Sequence, residues 1–208
     1  MIKNENLLRK FIHVGIGLAV LLLTYLLSKP VMLWLLAGGS LFSFISYPFK
    51  GFHFLHKTTS NSLGTLFYPA GLLGAFLLLY NSPMDLFRTA LLLLTIADTA
   101  ANLAGNIKWQ NKYFRILSEK KSLHGTLAFL LSSWLIFLLF LPDQMILNTS
   151  FLIFLALLSV HSEVISFKGS DNFTIPAGTA LIFKLSGLAP QENFTSLILL
   201  ILFFAAGA

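Results

Sequence analysis

The run Leu91-Leu92-Leu93-Leu94-Thr95-Ile96-Ala97-Asp98-Thr99-Ala100-Ala101-Asn102-Leu103-Ala104-Gly105 carries a carboxylate in the middle of an apolar helix-forming segment. A charged side chain inside a membrane helix is costly unless it meets a cation, a metal or water. The spacing of Asp98, Ala101, Asn102 and Gly105 puts the acid and the amide on one helix face of small residues. This pattern predicts either a buried polar pair between helices or a ligand site.

The apolar character extends over the whole chain of 208 residues, which is 56% hydrophobic and only 11% charged. Soluble domains have roughly 25% charged residues. We therefore expect one all-α domain over residues 1–208, an integral membrane bundle of about seven or eight transmembrane helices. The last two apolar runs are the weakest of the set, which covers approximately 10–27, 31–47, 64–80, 84–105, 123–141, 145–166, 173–189 and 194–208.

The distribution of positive charge along the sequence predicts the orientation of the chain in the membrane. Eleven of the fourteen Lys and Arg residues fall on one side if the N-terminus is cytoplasmic. The net charge of +6 then reflects this bias and an attraction to anionic lipid or phosphate, and we expect no nucleic acid partner. The absence of Cys excludes disulfides and thiolate chemistry. The first apolar run has no cleavage pattern after it, and the brevity of the chain favours a prokaryotic inner membrane.

Further polar groups cluster at the predicted inner helix ends. Glu119-Lys120-Lys121-Ser122-Leu123-His124-Gly125-Thr126 combines ammonium groups, a hydroxyl and a glycine at a helix start, which suits a phosphate. Topology alone also places basic residues at such a membrane entry. Glu163 and Asp171-Asn172 flank the next inner loop, and the latter pair fits either a ligand role or a helix cap. Arg9 and His13 are i, i+4 neighbours at the start of the first run.

Together these segments resemble the CTP-using lipid-alcohol kinases, the family of dolichol kinase, phytol kinase and yeast-type diacylglycerol kinase, which are distant relatives of phosphatidate cytidylyltransferase. Ala97 and His124 replace the family's usual Gly and acidic residue, so the resemblance does not fix substrate or nucleotide preference. The matching segments follow the family's order: Arg9-Lys10-Phe11-Ile12-His13-Val14-Gly15, Gly64-Thr65-Leu66-Phe67-Tyr68-Pro69, Asp98 through Gly105, Lys120-Lys121-Ser122-Leu123-His124-Gly125-Thr126, and Glu163 through Pro176.

The resemblance implies a membrane-embedded kinase that transfers the γ-phosphoryl group of CTP to a polyprenol, phytol or diacylglycerol hydroxyl at the cytoplasmic face. Its partners would be CTP, the lipid alcohol and the bilayer, with Mg²⁺ as the cofactor. Asp98 and Asp171 would be metal or metal-water ligands, and His13 or Glu163 would accept the proton. Phosphate and nucleotide contacts would come from Arg9, Lys10, Asn102, Lys120, Lys121, Ser122, Gly125 and Asn172.

Two other functions share parts of this pattern. Cytidylyl transfer to phosphatidate would use the same Asp and Lys elements but would release pyrophosphate instead of CDP. A small transporter or structural membrane protein would use Asp98 and Glu163 in an ion or proton path. The segment from Arg9 to His13 favours the kinase, and the sequence shows no matched pair of Gly/Pro-broken helices of the kind that transporters use.

Overall fold

The structure is a computed structural model that describes residues 4–48, 63–107, 112–116, 119–141, 149–166 and 168–188, with side chains from residue 10 onward except those of 119, 187 and 188. This part of the chain is mostly helical and also contains one β-hairpin. Its strands are β1 (Tyr113–Ile116) and β2 (Glu119–Ser122). Its helices are α1 (Asn4–Leu26), α2 (Lys29–Ser46), α3 (Gly64–Leu78), α4 (Met84–Leu92), α5 (Asp98–Gly105), α6 (Leu123–Phe140), α7 (Thr149–Val164) and α8 (Asp171–Leu188).

The centre of the fold is one continuous helical segment, Met84–Gly105. It consists of α4, a five-residue π turn at Leu93–Ala97 and α5, and helices α1, α3, α6 and α8 pack around it. Its middle is fully buried at Ala90, Leu91, Leu93 and Leu94, because a helix that is apolar on every side is stable only inside a bundle. The run that carries Asp98 is therefore the core of the molecule.

The start of α8 is fixed against α3. The Asn172 side-chain amide donates to the Gly64 carbonyl (3.2 Å), and the Leu63 amide donates to the Lys168 carbonyl (3.0 Å). Lys168 and Gly169 both have positive φ, which turns the chain sharply into α8. These contacts determine where Asp171, the first residue of α8, lies relative to the central helix.

Within the described part of the chain, three helices are long and apolar enough to cross a membrane: Lys29–Ser46, Met84–Gly105 and Leu123–Phe140. Shorter apolar helices are Lys10–Leu26, Gly64–Leu78 and Thr149–Val164. Seven of the eight apolar runs in the sequence overlap described helices, and the last run, 194–208, lies outside the described residues. The mostly helical fold is thus confirmed, whereas the count of seven or eight spans and the cytoplasmic N-terminus remain predictions.

The segment between α5 and α6 departs from the all-α expectation, because β1 and β2 form an antiparallel hairpin. Tyr113 and Arg115 are exposed while Phe114 and Ile116 are half-buried, which is the period-two pattern of a strand. The Leu123 amide donates to the Lys112 carbonyl (2.8 Å), so the hairpin leads directly into α6. Consecutive residues of a strand face opposite sides, which has consequences for the two lysines of β2.

Candidate active site

A buried ion pair joins the first helix to the central helix. The Lys10 Nζ atom of α1 lies 2.6 Å from Oδ2 of Asp98, the first residue of α5. The π turn before Asp98 widens the helix at this point, and such turns are frequent at functional sites. The carboxylate that the sequence analysis singled out therefore meets a cation inside the bundle, as its position in an apolar helix requires.

The Asp98 carboxylate belongs to a larger charged cluster. Asp98 interacts electrostatically with Lys10, His13 and Lys121, and Asp171 interacts with Asp98, Lys10 and Lys121. Burial raises the pKa of the Asp171 carboxyl to about 6, and the neighbouring Asp98 carboxylate contributes to the rise. Two carboxylates and two ammonium groups from α1, α5, β2 and α8 thus interact around Asp98, about two turns before the end of the central helix. We call the side chains of Lys10, Asp98, Lys121 and Asp171 the charged cluster.

Lys121 faces the inside of the protein and holds the end of α7. Its ammonium group donates to the Glu163 carbonyl (2.8 Å), to Oε1 of Glu163 (2.8 Å) and to the Ser166 hydroxyl (2.9 Å). The Ser166 hydroxyl in turn donates to the Glu163 carbonyl (2.6 Å). A cation at a helix C-terminus also stabilises the helix dipole. Glu163 therefore joins the charged cluster through Lys121.

His13 packs between the π turn and α3. Its Nε2 lies 3.2 Å from the Leu94 carbonyl, so this nitrogen carries the proton that is donated. Its ring meets the Tyr68 ring edge-on, with centroids 4.7 Å apart. One turn further along α1, the helix approaches the π turn so closely that a Cβ added at Gly17 would lie 2.6 Å from the Thr95 Cγ2 atom. This close approach holds both Lys10 and His13 against the central helix.

The start of α6 satisfies its own hydrogen-bonding groups. The Ser122 hydroxyl accepts from the Gly125 amide (3.0 Å) and acts as the N-cap of α6. A Cβ added at Gly105 would lie 2.8 Å from the Ser122 hydroxyl, and one added at Gly125 would lie 2.8 Å from the Ala101 carbonyl. Helices α5 and α6 therefore pack closely here because both positions are glycine. The Gly125 amide, predicted to bind phosphate, is already used within the protein.

Three other predicted contacts do not bring their side chains into the charged cluster. Lys120 faces away from Lys121, and its ammonium lies over the Tyr113 ring, 4.1 Å from the centroid, because neighbouring strand residues point to opposite sides. Asn102 is exposed on α5 and accepts through its carbonyl from the Asn106 side chain (2.7 Å). The side-chain amide of Asn172 is used to fasten α8 to α3. The side chain of Arg9 lies outside the described residues.

The donor set fits a magnesium ion only in company with a phosphate. Among the described residues no group of three or more His, Cys, Asp or Glu could hold a metal. Mg²⁺ is characteristically bound by one or two carboxylates together with phosphate oxygens and water. Asp98 and Asp171 supply two carboxylates, and the charge of Asp98 contributes to the raised pKa of Asp171; a divalent cation would relieve that repulsion.

Two residues of this site were not given roles from the sequence. Tyr68 lies in the Gly64-to-Pro69 segment that carried the family resemblance, and its buried hydroxyl interacts with the Thr95 side chain. Ser166 follows Glu163 by three residues and is buried beside it. Its position one helical turn after an acid was the only available signal, and serines are too common for that spacing to stand out.

The chain is similar to the phytol kinase of Synechocystis sp., with 31% identity over 183 residues, which cover 84% of this chain and 76% of the relative. No family model matches the chain. No solved structure matches it. Similarity at this level over most of both chains reflects a shared fold along the whole membrane domain, and not a single shared motif.

Proposed function

The chain belongs to the family of CTP-dependent lipid-alcohol kinases, and from that premise we propose that it transfers the γ-phosphoryl group of CTP to the hydroxyl of a lipid alcohol. Phytol, a polyprenol and diacylglycerol are the acceptors to be considered. The similarity to a phytol kinase supports an acceptor with a long hydrocarbon tail. Helices apolar enough to cross a membrane support an acceptor that remains in the bilayer during the reaction.

The observation that carries this proposal is the charged cluster. Phosphoryl transfer asks a protein mainly for positioning and for cations near the developing negative charge. Lys10, Asp98, Asp171 and Lys121 come from four separate elements and interact electrostatically around Asp98 of the central helix. A purely structural polar contact would need one ion pair, whereas this cluster has two carboxylates within electrostatic range of each other.

The residues divide into roles as follows. Asp98 and Asp171 would hold Mg²⁺, which would neutralise charge on the phosphates. Lys10 would contact the triphosphate, and Arg9 precedes it in the sequence. His13 and Glu163 are the two groups that can accept the proton of the attacking hydroxyl. Asn102, exposed one turn after Asp98 on α5, would contact the nucleotide.

We place this site at the cytoplasmic face of a prokaryotic inner membrane. The support is the charge bias of the chain, with eleven of fourteen basic residues in the segments assigned to that side. A soluble donor and a membrane-bound acceptor can meet only at the interface between water and lipid. A charged cluster about two turns from the end of a central apolar helix suits such a meeting point.

Incubation of the purified protein with γ-labelled CTP, Mg²⁺ and a panel of lipid alcohols tests the proposal directly. We expect label in the organic phase for at least one alcohol and CDP in the aqueous phase. A parallel reaction with α-labelled CTP and phosphatidate separates this activity from cytidylyl transfer, which would label the lipid and release pyrophosphate. Transfer to none of the alcohols, with either CTP or ATP as the donor, would remove the kinase assignment.

A further inference from the structure

Every hydrogen-bond donor of the Lys121 ammonium group is directed at a protein acceptor. An ammonium has three N–H groups, and the three acceptors are the Glu163 carbonyl, Oε1 of Glu163 and the Ser166 hydroxyl. Contact with a phosphate would require at least one of these bonds to be exchanged. The exchange would break at least one hydrogen bond to a buried or half-buried acceptor, which is unfavourable.

Glu163 is satisfied at one carboxylate oxygen but not at the other. Its residue is only 8% exposed, and Oε1 receives the Lys121 bond. Oε2 is buried and has no hydrogen-bond partner among the residues that the structure describes. A buried carboxylate oxygen without a donor is costly, so this position is suited to a hydrogen-bond donor that is supplied from outside the protein.

We propose that Lys121 is a positioning residue that orients Glu163, so that Oε2 of Glu163 receives the hydroxyl proton of the acceptor alcohol. This inference rests on the proposed function. In the transfer, the alcohol oxygen bonds to the γ-phosphorus and the bond from that phosphorus to the bridging β-phosphate oxygen breaks. CDP leaves, and the hydroxyl proton passes to Glu163. Lys121 therefore acts through Glu163, and the triphosphate is contacted by other cations.

The arrangement explains why the two lysines of β2 differ. Lys121 points inward to α7, and Lys120 points outward with Arg115 on the exposed face of the hairpin. The Ser166 hydroxyl accepts from Lys121 and donates to the Glu163 carbonyl, so it closes a small network. A network of this kind fixes the carboxylate orientation more firmly than a single ion pair.

The test compares Lys121→Met with Glu163→Gln and with the double variant. For each we would measure CTP affinity by equilibrium dialysis with labelled CTP and Mg²⁺, steady-state kcat and KM for both substrates, and thermal stability in detergent. Arg115→Met is the matched control, because it removes one positive charge from the same hairpin at an exposed position.

We expect Lys121→Met to bind CTP within about threefold of the wild type while kcat falls by about 10²-fold, the contribution of a general base. Glu163→Gln should lower kcat similarly. The double variant should be no slower than the slower single variant, since residues that act as a unit are not additive. It should also recover thermal stability relative to Lys121→Met, because no unpaired buried charge remains.

A loss of CTP affinity of about tenfold or more in Lys121→Met, with the effects of the two variants multiplying in kcat, would overturn the inference. If Lys121→Met does not fold, Ser166→Ala gives the same decision, because it removes one partner without leaving a buried charge; it should lower kcat and leave CTP affinity unchanged. A wild type that transfers phosphate to no lipid alcohol contradicts the proposed function instead, which separates the two failures.

Discussion

The Lys10 ammonium and the Asp98 carboxylate are 2.6 Å apart, although 88 positions of sequence separate them. The Asp98 side chain is 8% exposed and that of Lys10 is 21% exposed, so the lysine end of the pair is the more open to a ligand. A phosphate that approaches Lys10 competes with Asp98 for the ammonium group. The released carboxylate would then share the field of Asp171, and a divalent cation would be held best by the two together.

Asp98→Asn should lower transfer by about 10²–10³-fold, because the amide keeps the shape but loses the charge that faces the cations. Stability should fall by only about 1–2 kcal/mol, since Lys10 stays partly solvated and the Asn oxygen still accepts its bond. Asp85→Asn is the control on the same continuous helix, because Asp85 is paired with Arg88 far from the cluster. Asp98→Asn with wild-type kcat would show that the carboxylate has no role in the reaction.

Asp171→Asn should raise the Mg²⁺ concentration needed for half-maximal activity by about tenfold or more. Loss of a group that supports a metal site typically lowers metal affinity by about that factor. The reason is that Asp171 and Asp98 interact electrostatically and together would attract the ion. The measurement is a Mg²⁺ titration at a fixed saturating concentration of CTP, with EDTA-treated protein as the starting point. A titration curve identical to that of the wild type would remove Asp171 from the metal site.

The sequence predicted the parts of the fold that follow from apolar periodicity. The run around Asp98 is a buried helix, and an acid in such a helix requires a partner, which is found in Lys10. Its partner could not be predicted, because the approach of α1 depends on Gly17 meeting Thr95, a contact that has no local signal. Lys10 was assigned to phosphate and not to Asp98 for that reason.

The hairpin of β1 and β2 could not be predicted from the sequence. Strands of four residues are too short for period-two alternation to be distinguished from a loop. Without the hairpin, Lys120 and Lys121 looked equivalent, and both were predicted to bind triphosphate. The strand geometry separates them, since one lies over Tyr113 and the other reaches Glu163.

Gly71→Ala should destabilise the protein and lower activity, because α3 and α8 approach each other through this glycine. An added Cβ would lie 2.7 Å from the Phe173 Cα atom, and backbone cannot move aside as a flexible side chain can. We expect a loss of about 3 kcal/mol, near the upper range for overpacking. Thermal unfolding in detergent measures it, and Gly39→Ala, with nothing within 4 Å, should be neutral or slightly stabilising. Equal stability of the two variants would contradict the close approach.

Arg88→Lys should lower stability by about 2 kcal/mol without changing kcat or either KM, because the lysine cannot reproduce the planar set of donors. The Arg88 guanidinium donates to the hydroxyl and carbonyl of Thr24 and to Asp85, and it lies 3.7 Å from the Tyr25 ring centroid. These contacts tie α1 to α4 at the end away from the charged cluster. Arg115→Lys, an exposed counterpart, should change neither quantity; a kinetic effect of Arg88→Lys would mean that this contact communicates with the site.

Ser122→Ala and Ser122→Thr distinguish a helix cap from a phosphate ligand. The Ser122 hydroxyl accepts from the Gly125 amide, so its loss should cost about 1 kcal/mol of stability, as for other N-caps. Threonine keeps the hydroxyl and suits the end of a strand, so Ser122→Thr should retain the stability of the wild type. CTP affinity should be the same in both variants, since the hydroxyl is already engaged. Thermal unfolding and equilibrium dialysis give the two readouts.

If the alanine variant instead kept its stability and lost CTP affinity, the start of α6 would be a phosphate site, and the hydroxyl would have to leave the Gly125 amide when the nucleotide binds.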